Sequence, residues 1–320
     1  MEHWSRRGAV AWLLWPASLA FHAAVLLRKI FLKLRSRHPG IPVIVVGNLT
    51  VGGTGKTPLV LWIAEFLKAK GWKPGIVSRG YGGDAVAPHA ATIASRPEET
   101  GDEPIVLARR SGCPVWVGAD RLAVARALRA AHPEVDVLVL DDGLQHYRMR
   151  RDIEIALVDA RGFGNGFLLP AGPLREPVSR LRSVDAVVAH GTQGEVTMQL
   201  DGEVLYCMAN AAERRPAQSF AGAPVHAVAG IGDPERFFSA LERFGLQVER
   251  HPFPDHHRFA PRELDFGDGR PVLMTEKDAV KLRHAARPNW WVLPVTARLT
   301  PAFGGWLLGR LDEWRRSQAA

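Results

Sequence analysis

The run GNLTVGGTGKT, residues 47–57, places several glycines directly after a short apolar stretch. Gly52, Gly53 and Gly55 would let the backbone turn so that successive N–H groups, including that of Thr54, point at one anion. A helix that starts after such a turn adds the positive end of its dipole to the same point. The pattern predicts a phosphate-binding loop; the alternative is a glycine-rich turn that binds nothing.

Two side chains at the end of this run would act on the phosphates directly. Lys56 would neutralise charge on the β- and γ-phosphates, and the hydroxyl of Thr57 would ligate Mg²⁺. Thr50 stands where the general pattern has glycine, so we expect the entry to the loop to differ from its commonest form. Together these residues predict binding of a nucleoside triphosphate with Mg²⁺.

Two adjacent carboxylates, Asp141 and Asp142, end the apolar run VDVLVLDD. A carboxylate at the C-terminal end of a parallel strand beside a phosphate loop is where Mg²⁺ is ordinarily held. Because side chains alternate along a strand, we expect only one of the two to face the metal directly. The alternative is a turn or a helix cap before Gly143.

Two further segments contain residues suited to proton transfer or metal binding. GDEP contains Asp102, and PFPDHHRF contains His256 and His257. From spacing alone, Asp102 could equally cap the helix that follows. The two histidines could be metal ligands. No third ligand is evident nearby, so they could equally be solvated loop residues.

The elements that must position these residues alternate along the chain. Runs such as IPVIVVGN, PGIVSRG and IEIALVDA are typical of buried parallel strands, and helical patterns separate several of them. The alternation predicts an α/β fold in which a parallel sheet has helices on both faces. We place a first domain with the phosphate loop at residues 39–195, a β linker with a hairpin around Asp201-Gly202 at residues 196–222, and a second α/β domain at residues 223–320.

Composition and charge exclude several classes of protein. With 47% hydrophobic and 23% charged residues, the 320-residue chain is neither disordered nor fibrous. Its two cysteines cannot form a disulfide framework and indicate a reducing, cytosolic setting. Residues 1–38 contain seven Lys and Arg against one acidic residue, Glu2, and so account for six of the eight net positive charges. A nucleic-acid binder usually spreads its basic surface over a folded face, so this distribution argues against nucleic acid as a partner.

The N-terminal segment is apolar as well as basic. Residues 8–27 have no formal charge, and basic residues flank both ends. A helix lying in the membrane interface would bury its apolar side chains among acyl chains while Arg28 to Arg37 meet anionic headgroups. We predict that residues 1–38 form a membrane-interacting helix that leaves the rest of the chain in the cytoplasm. A spanning helix, an ordinary core helix and a signal peptide are the alternatives.

Taken together, the motifs resemble those of one family, the tetraacyldisaccharide 4'-kinases (lipid A 4'-kinases) of Gram-negative bacteria. The resemblance runs through most of the chain, in the segments VGNLTVGGTGKTP, VSRGYGG, GDEP, LDDGLQH, LLPAGPLREP, FPDHH and MTEKDAVKL. It implies two α/β/α sandwich domains, the first a phosphate-loop kinase core, joined by a β linker, with ATP and a lipid headgroup in the cleft between them. The implied reaction transfers the γ-phosphoryl group of ATP, with Mg²⁺, to the 4'-hydroxyl of a tetraacyldisaccharide 1-phosphate at the cytoplasmic face of the inner membrane. No obligate protein partner is implied.

The resemblance also implies roles for individual residues. Asp102 would accept the proton of the 4'-hydroxyl, and His256 would orient Asp102 from the second domain. Lys56 and Thr57 keep the roles given above, and Asp141 and Asp142 would hold Mg²⁺ directly or through water. The candidates for holding the phosphorylated sugar headgroup are Asn48, Arg79, Arg121 and Gln145. The further polar groups of the cleft are Glu103, His146 and Glu176. The residues that would either lie near the nucleotide base or simply cap a helix are Thr275, Lys277 and Asp278.

Two other classes of protein share part of this pattern. A membrane-associated phosphate-loop GTPase of the metallochaperone type would also have Gly-Lys-Thr and an aspartate at a strand end. Its guanine motif, Asn-Lys-x-Asp, has only a partial match here, at Thr275–Asp278. A non-catalytic, membrane-docked nucleotide-binding scaffold would have no use for an Asp–His pair that faces the γ-phosphate. The distance between Asp102 and His256 therefore distinguishes the two classes: the kinase requires them to be close, and the scaffold does not.

Overall fold

A computed structural model of the chain describes residues 4–319. The strands of this part are β1 (Val43–Gly47), β2 (Pro74–Ser78), β3 (His89–Ala91), β4 (Val115–Val117), β5 (Val137–Asp141), β6 (Ile153–Asp159), β7 (Ala186–His190), β8 (Val196–Asp201), β9 (Val204–Cys207), β10 (Arg214–Pro216), β11 (Pro224–Ala229), β12 (Gln247–Pro252), β13 (Val272–Thr275), β14 (Trp290–Leu293) and β15 (Thr296–Leu299). The α-helices are α1 (Ala9–Leu34), α2 (Lys56–Ala69), α3 (Pro97–Thr100), α4 (Asp102–Ser111), α5 (Arg121–Ala131), α6 (Pro234–Arg243), α7 (Glu276–Leu282) and α8 (Ala302–Ala319). Short 3₁₀ helices lie at Val178–Ser183, Ala217–Phe220, Pro261–Leu264 and Arg283–Ala285.

The larger sheet has the strand order β15-β8-β7-β6-β1-β5-β2-β4-β3. Its interior strands pair in parallel, and the two edge strands, β3 and β15, pair antiparallel with their neighbours. Every residue of β1 and of β5 is buried. Continuous apolar runs of this kind occur where helices cover both faces of a parallel sheet. The predicted α/β fold is confirmed.

Helices cover both faces of this sheet. On one face, α2 and α8 contribute Leu59, Ile63, Phe303 and Leu307 to a core that continues into the sheet. On the other face, α5 contributes its buried leucines to a second core. The contact between α2 and α8 is close, because a Cβ at Gly304 would lie 2.7 Å from the ring of Phe66.

The smaller sheet has the order β10-β9-β14-β13-β11-β12. Strands β11 to β14 pair in parallel, and β9 and β10 join them antiparallel. Phe238 and Leu241 of α6 pack on one face, and Leu282 of α7 packs on the other with Met274 and Trp290. This sheet is the core of the predicted second domain.

The chain changes sheets at places that the sequence analysis did not predict. The prediction of a hairpin around Asp201-Gly202 is wrong. Strand β8 pairs with β7 and β15 of the larger sheet, whereas β9 pairs with β10 and β14 of the smaller one. The return crossing lies directly beside it: a Cβ at Gly202 would lie 2.6 Å from the carbonyl oxygen of Pro294. Strand β8, which we placed in the linker 196–222, therefore belongs to the larger sheet. Strand β15, near the end of the range 223–320, belongs to it too, and α8 packs on its face.

The strand order brings the predicted site segments together. Strand β1 lies beside β5, and β5 lies beside β2. Because parallel strands end at the same edge, the loop after β1, the carboxylates at the end of β5 and the residues after β2 are neighbours. The second domain reaches this edge too, since a Cβ at Gly232 would lie 3.1 Å from the backbone nitrogen of Gly53.

Helix α1 rests on the first domain by one face only. The hydroxyl of Ser18 donates to the carbonyl of Leu168 at 2.8 Å and accepts from the backbone N–H of Ala171 at 3.1 Å. Trp12 makes an edge contact with Phe167, their ring centroids 5.1 Å apart. The exposed apolar side chains of the helix are Val10, Trp12, Leu13, Trp15, Leu19, Leu26, Leu27, Ile30, Phe31 and Leu34. By length and composition, this helix could cross a membrane.

Candidate active site

The phosphate loop owes its shape to glycines between β1 and α2. Gly52 and Gly55 have φ of 103° and 92°, in the left-handed region that side chains with a Cβ rarely adopt. At Gly55 a Cβ would also lie 2.9 Å from Nδ1 of His190, which donates to the carbonyl of Thr54 at 2.9 Å. Gly53 is exposed, whereas the side chain of Thr54 is buried. The predicted loop residues thus form one turn that leads into the N-terminus of α2.

Lys56 is the first residue of α2 and Thr57 is the second. The ammonium of Lys56 donates to Oδ1 of Asn48 at 3.1 Å and lies 3.6 Å from Asp142. Asn48 is completely buried. Its position holds Lys56 in place and lends no support to the headgroup role that we predicted for Asn48.

The two adjacent aspartates at the end of β5 have different surroundings. Oδ2 of Asp141 accepts from the hydroxyl of Ser78 at 3.1 Å, and Oδ1 has no hydrogen-bond partner among residues 4–319. Burial, reinforced by the charges of Glu103 and Asp142, raises the pKa of Asp141 to about 7. Asp141 is therefore a buried carboxylate that forms no ion pair with another residue of the described part of the chain, and the charge of Lys56 offsets only part of the rise in its pKa.

Asp142, in contrast, already forms ion pairs with cationic side chains. Burial by itself would raise the pKa of Asp142, but Lys56 and Arg175 hold it below its usual range. Nη1 of Arg175 lies 3.0 Å from Asp142 Oδ2. The backbone of Asp142 is left-handed, with φ of 49°. The two carboxylates therefore have different surroundings, and the expectation that only one of them faces the metal stays a prediction.

Asp102, the first residue of α4, faces the second domain. Oδ2 of Asp102 lies 3.1 Å from Nδ1 of His256 and 3.4 Å from Nζ of Lys281. Burial alone would raise the pKa of Asp102, but the hydrogen bond with His256 and the charges of Lys277 and Lys281 hold it well below its usual range. The hydrogen bond to Asp102 in turn raises the pKa of His256. The carboxylate is therefore ionised at neutral pH.

The cations that surround Asp102 come from α7. Lys281 lies 3.0 Å from Asp278 Oδ1, and Asp278 accepts from the backbone N–H of Gly230 at 3.1 Å. Lys277 lies 3.0 Å from Glu103. Glu103 and Lys277 thus form a second contact between the domains beside the Asp102–His256 pair.

The helix-cap interpretation of Thr275 and Asp278 agrees with the geometry. Thr275 is the N-cap of α7, and its hydroxyl oxygen accepts from the backbone N–H of Asp278 at 3.3 Å. The same hydroxyl donates to the Asp278 carboxylate at 2.7 Å. Proximity of these residues and Lys277 to a nucleotide base stays a prediction.

The other predicted headgroup residues lie around the same edge of the sheet. Arg121 is buried and donates to the carbonyls of Gly118 and Ala119 at 3.3 and 3.1 Å. Burial and the neighbouring charge of Arg79 lower the pKa of Arg121 to about 10. Arg79 is exposed. These two guanidiniums are available beside the site, and headgroup binding by them stays a prediction.

Gln145 and Glu176 form a polar network behind the phosphate loop. The amide of Gln145 donates to the carbonyl of Asn48 at 3.2 Å and to the buried carboxylate of Glu176 at 3.1 Å. Glu176 also accepts from the hydroxyl of Tyr147. The neighbouring His146 has its pKa lowered to about 4, first by burial and then by Arg121. A neutral imidazole is expected there at physiological pH.

Sequence reasoning did not single out Arg175 or Lys281, although both lie in quoted segments. Arg175 belongs to LREP and Lys281 to MTEKDAVKL. Each places a cation beside an aspartate of the site, Asp142 and Asp102 respectively. A lysine or arginine is ordinarily a solvated residue, so only the spatial contact distinguishes these two.

Comparisons with known proteins agree along almost the whole chain. The sequence profile of a family described as Tetraacyldisaccharide-1-P 4'-kinase (LpxK) matches residues 10–312. A tetraacyldisaccharide 4'-kinase from Azoarcus sp. (strain BH72) is 50% identical, over 98% of this chain and 96% of its own length. One from Methylobacillus flagellatus is 49% identical, over 95% and 93%. The fold is similar to that of LpxK from Aquifex aeolicus crystallised with ATP, with a TM-score of 0.77, 28% identity, and coverage of 94% of this chain and 99% of that one. The chain therefore belongs to the tetraacyldisaccharide 4'-kinase family.

Proposed function

We propose that this chain transfers the γ-phosphoryl group of ATP to the 4'-hydroxyl of a tetraacyldisaccharide 1-phosphate, a step of lipid A biosynthesis. The observation that carries the proposal is the ionised Asp102, held 3.1 Å from His256 across the cleft, in a chain that is 50% identical to a protein named for this activity. The similar Aquifex aeolicus protein was crystallised with ATP, which supports ATP as the donor. The GTPase alternative is not favoured, because the relatives are named as kinases and Thr275 and Asp278 serve as a helix cap.

Phosphoryl transfer leaves the protein mostly positioning and charge neutralisation to perform. The backbone N–H groups of residues 52–57 would bind the β- and γ-phosphates at the positive end of α2. Lys56, held by Asn48 at 3.1 Å, would draw charge from the bridge between those phosphates. Charge withdrawn there stabilises ADP as the leaving group.

The residues present fit a bound Mg²⁺. Asp141 has a buried oxygen without a hydrogen-bond partner in the described part of the chain, and the hydroxyl of Thr57 lies at the start of the adjacent helix. Hard divalent cations prefer oxygen donors such as these. Asp142 already pairs with Lys56 and Arg175, so we assign direct ligation to Asp141 and Thr57 and a supporting role to Asp142. When bound, Mg²⁺ would neutralise phosphate charge.

Asp102 would orient the sugar hydroxyl and take its proton. As the bond from the 4'-oxygen to the γ-phosphorus forms and the bond to ADP breaks, the hydroxyl proton moves to a carboxylate oxygen of Asp102. The low pKa of Asp102 makes it a weak base. Because the transition state is loose, orientation matters more than basicity. His256 would fix the carboxylate only when the second domain is in contact with the first.

The lipid substrate and the exposed face of α1 support association with the cytoplasmic face of the inner membrane. Arg121 and Arg79 would receive the anionic headgroup at the edge of the cleft. The apolar face of α1 would enter the acyl layer, and its basic C-terminal flank would meet anionic headgroups. This arrangement would bring a membrane-resident substrate to a soluble nucleotide.

A direct product assay tests the proposal. The purified chain is incubated with Mg²⁺, tetraacyldisaccharide 1-phosphate and either ATP or GTP, each labelled at the γ-phosphate. We expect ATP to yield a lipid that contains two phosphates, one of them labelled. Absence of that product, or equal hydrolysis of GTP without transfer to lipid, would contradict it.

A further inference from the structure

A group of potential metal ligands lies on the smaller sheet, apart from the phosphate loop. Strands β11 and β12 pair in parallel with His226 opposite Glu249. His251 follows Glu249 by two positions, so the three side chains project from the same face of the sheet. Neither the proposed transfer reaction nor the resemblance makes use of them.

The three side chains converge on one point. Nδ1 of His226 lies 2.9 Å from Nε2 of His251 and 3.6 Å from Oε2 of Glu249. Nε2 of His251 lies 3.7 Å from Oε1 of Glu249. Donors on a tetrahedral ion with bonds of about 2.0–2.2 Å are about 3.3–3.6 Å apart. The two imidazole–carboxylate distances are close to this spacing for an ion of a first-row transition metal. The two imidazole nitrogens are at hydrogen-bond distance and would have to move apart by about 0.4 Å or more to share the ion.

The other groups around His226 orient its ring for such a role. Nε2 of His226 lies 3.0 Å from a carboxylate oxygen of Asp268, which can accept only an N–H. The proton at Nε2 leaves Nδ1 with its lone pair directed at the point of convergence. A histidine that binds a metal commonly donates its other N–H to a carboxylate in this way.

Packing and charge also favour a cation. The ring of Phe266 stacks on His226 and on His251, with centroids 3.9 and 4.3 Å apart, and so limits rotation of both imidazoles. Arg270 pairs with Glu249 at 2.7 Å and also with Asp268, so one guanidinium is shared by two carboxylates and one negative charge is left over. An ion would bind Glu249 in competition with Arg270, which would keep Asp268 as its partner. His226 is buried, whereas the side chain of His251 is 22% exposed, which gives an ion a path from solvent.

We propose that His226, Glu249 and His251 bind one divalent transition-metal ion, with Zn²⁺ the best match for two imidazoles and a carboxylate. A water molecule would complete the coordination on the solvent side. The ion would fasten β12, the edge strand of the smaller sheet, to β11. Because β12 leads into the loop that carries His256, the ion would stabilise the base of that loop.

Titration of Zn²⁺ into the metal-free, full-length protein in detergent tests this site. We expect one tight equivalent, and loss of more than about a hundredfold in affinity for H251Q and for E249Q, since even outer partners of a ligand contribute ten- to a hundredfold. D268N should weaken binding by about ten- to a hundredfold for that reason. The matched control is H132Q, which removes another partly exposed histidine beside a glutamate, at 3.2 Å from Glu134.

Co²⁺ gives a second readout that does not depend on affinity. Bound to two imidazoles and a carboxylate, it should show intense tetrahedral absorption bands in the wild type and in H132Q, and lose them in H251Q. His226 is left unchanged because its burial would confuse loss of a ligand with loss of folding. No tight equivalent in the wild type, or Zn²⁺ affinity and Co²⁺ bands unchanged in H251Q and E249Q, would overturn the proposal whatever the kinase assay gives.

Discussion

His256 Nδ1 lies 3.1 Å from Asp102 Oδ2, so a residue of the second domain completes the surroundings of a buried carboxylate of the first. The two residues are 154 positions apart in the chain. Their contact requires the loop after β12 and the N-terminus of α4 to meet. The position of the second domain therefore decides whether Asp102 is held.

The pair should have a defined pH window. The pKa of Asp102 is lowered, so its contribution to stability is present above the unfolded value of about 3.9 and lost as pH falls through the folded pKa. The pKa of His256 is raised, so its contribution is complete below about 6.5 and lost as pH rises through the raised pKa. We expect the coupling between D102N and H256Q in thermal midpoint to be larger at pH 6 than at pH 9.

A double-mutant cycle with the neighbouring histidine, His257, is the control for this measurement. His257 lies on the same loop but pairs with Glu263, at 3.2 Å. D102N and H257Q should therefore show little coupling at either pH. Equal coupling in the two cycles, or coupling with His256 that grows from pH 6 to pH 9, would show that the contact is not an ion pair.

Replacement of Lys56 should abolish most turnover. The K56M variant removes the charge that we propose acts on the β- and γ-phosphates, and loss of one such electrostatic contact costs about a hundredfold or more in kcat. Lys70, at the other end of α2, provides the matched variant K70M, which should have normal turnover. Steady-state formation of the labelled lipid measures both. Comparable activity of K56M and K70M would remove Lys56 from the mechanism.

Lys281 should act through Asp102 as a positioning residue. Its ammonium lies 3.4 Å from Asp102 Oδ2 and helps to lower the pKa of that carboxyl. In K281M the pKa of Asp102 should rise, so the acid limb of the profile of kcat/KM against pH should move to higher pH. Above that limb, kcat should fall by less than about tenfold, because the carboxylate is still present. A uniform loss at all pH values would indicate a structural role instead.

Asp141 should destabilise the protein when no divalent cation is present. Burial, Glu103 and Asp142 raise its pKa to about 7, whereas the unfolded value is about 3.9. Stability is therefore lost as pH rises from about 4 through about 7. In metal-free buffer, D141N should raise the thermal midpoint more at pH 8.5 than at pH 5, while it lowers turnover with ATP and Mg²⁺.

The exposed Asp312 of α8 supplies the control for Asp141. D312N removes the same charge from the surface, where water already solvates it, so its effect on the thermal midpoint should be small and similar at the two pH values. A D141N effect without pH dependence would mean that Asp141 is compensated in some other way.

The local parts of the fold could be predicted because each depends on neighbouring residues. The apolar run before the phosphate loop indicates β1 because a strand covered on both faces has no polar side chain to interrupt it. Glycines at positions 52 and 55 are required by their left-handed backbone. Both features can be recognised without knowing the partner of any strand.

The non-local parts could not be predicted from the residues alone. The alternation of apolar and polar side chains along residues 196–207 is the same whether β8 pairs with β9 or with β15. The pattern therefore predicts a hairpin where the chain in fact crosses from one sheet to the other. The apolar face of α8 could pack on either domain, and only its contacts with α2 in the folded chain, such as Gly304 against Phe66, show which. The roles of Asp102 and His256 came from the resemblance. From spacing alone, Asp102 could equally be a helix cap and His256 a solvated loop residue.

Helix α1 should bind membranes through the face that turns away from the first domain. Leu13, Leu27 and Leu34 are 80%, 69% and 82% exposed, while Ser18 on the other face is buried against the domain. Transfer of a leucine side chain out of water is worth about 1.5–3 kcal/mol. The triple variant L13Q/L27Q/L34Q should therefore lower the partition coefficient onto anionic vesicles by about a hundredfold or more. Vesicle sedimentation measures it.

Val86 offers a control of the same exposure away from this helix. It is 85% exposed in the first domain, so V86Q removes an equally accessible apolar side chain without altering α1. V86Q should partition like the wild type, because only the apolar face of α1 would enter the acyl layer. If the triple variant and V86Q partition equally, the apolar face of α1 does not enter the bilayer. Attraction of the basic residues to anionic headgroups would then be the remaining source of binding, and added salt should abolish it.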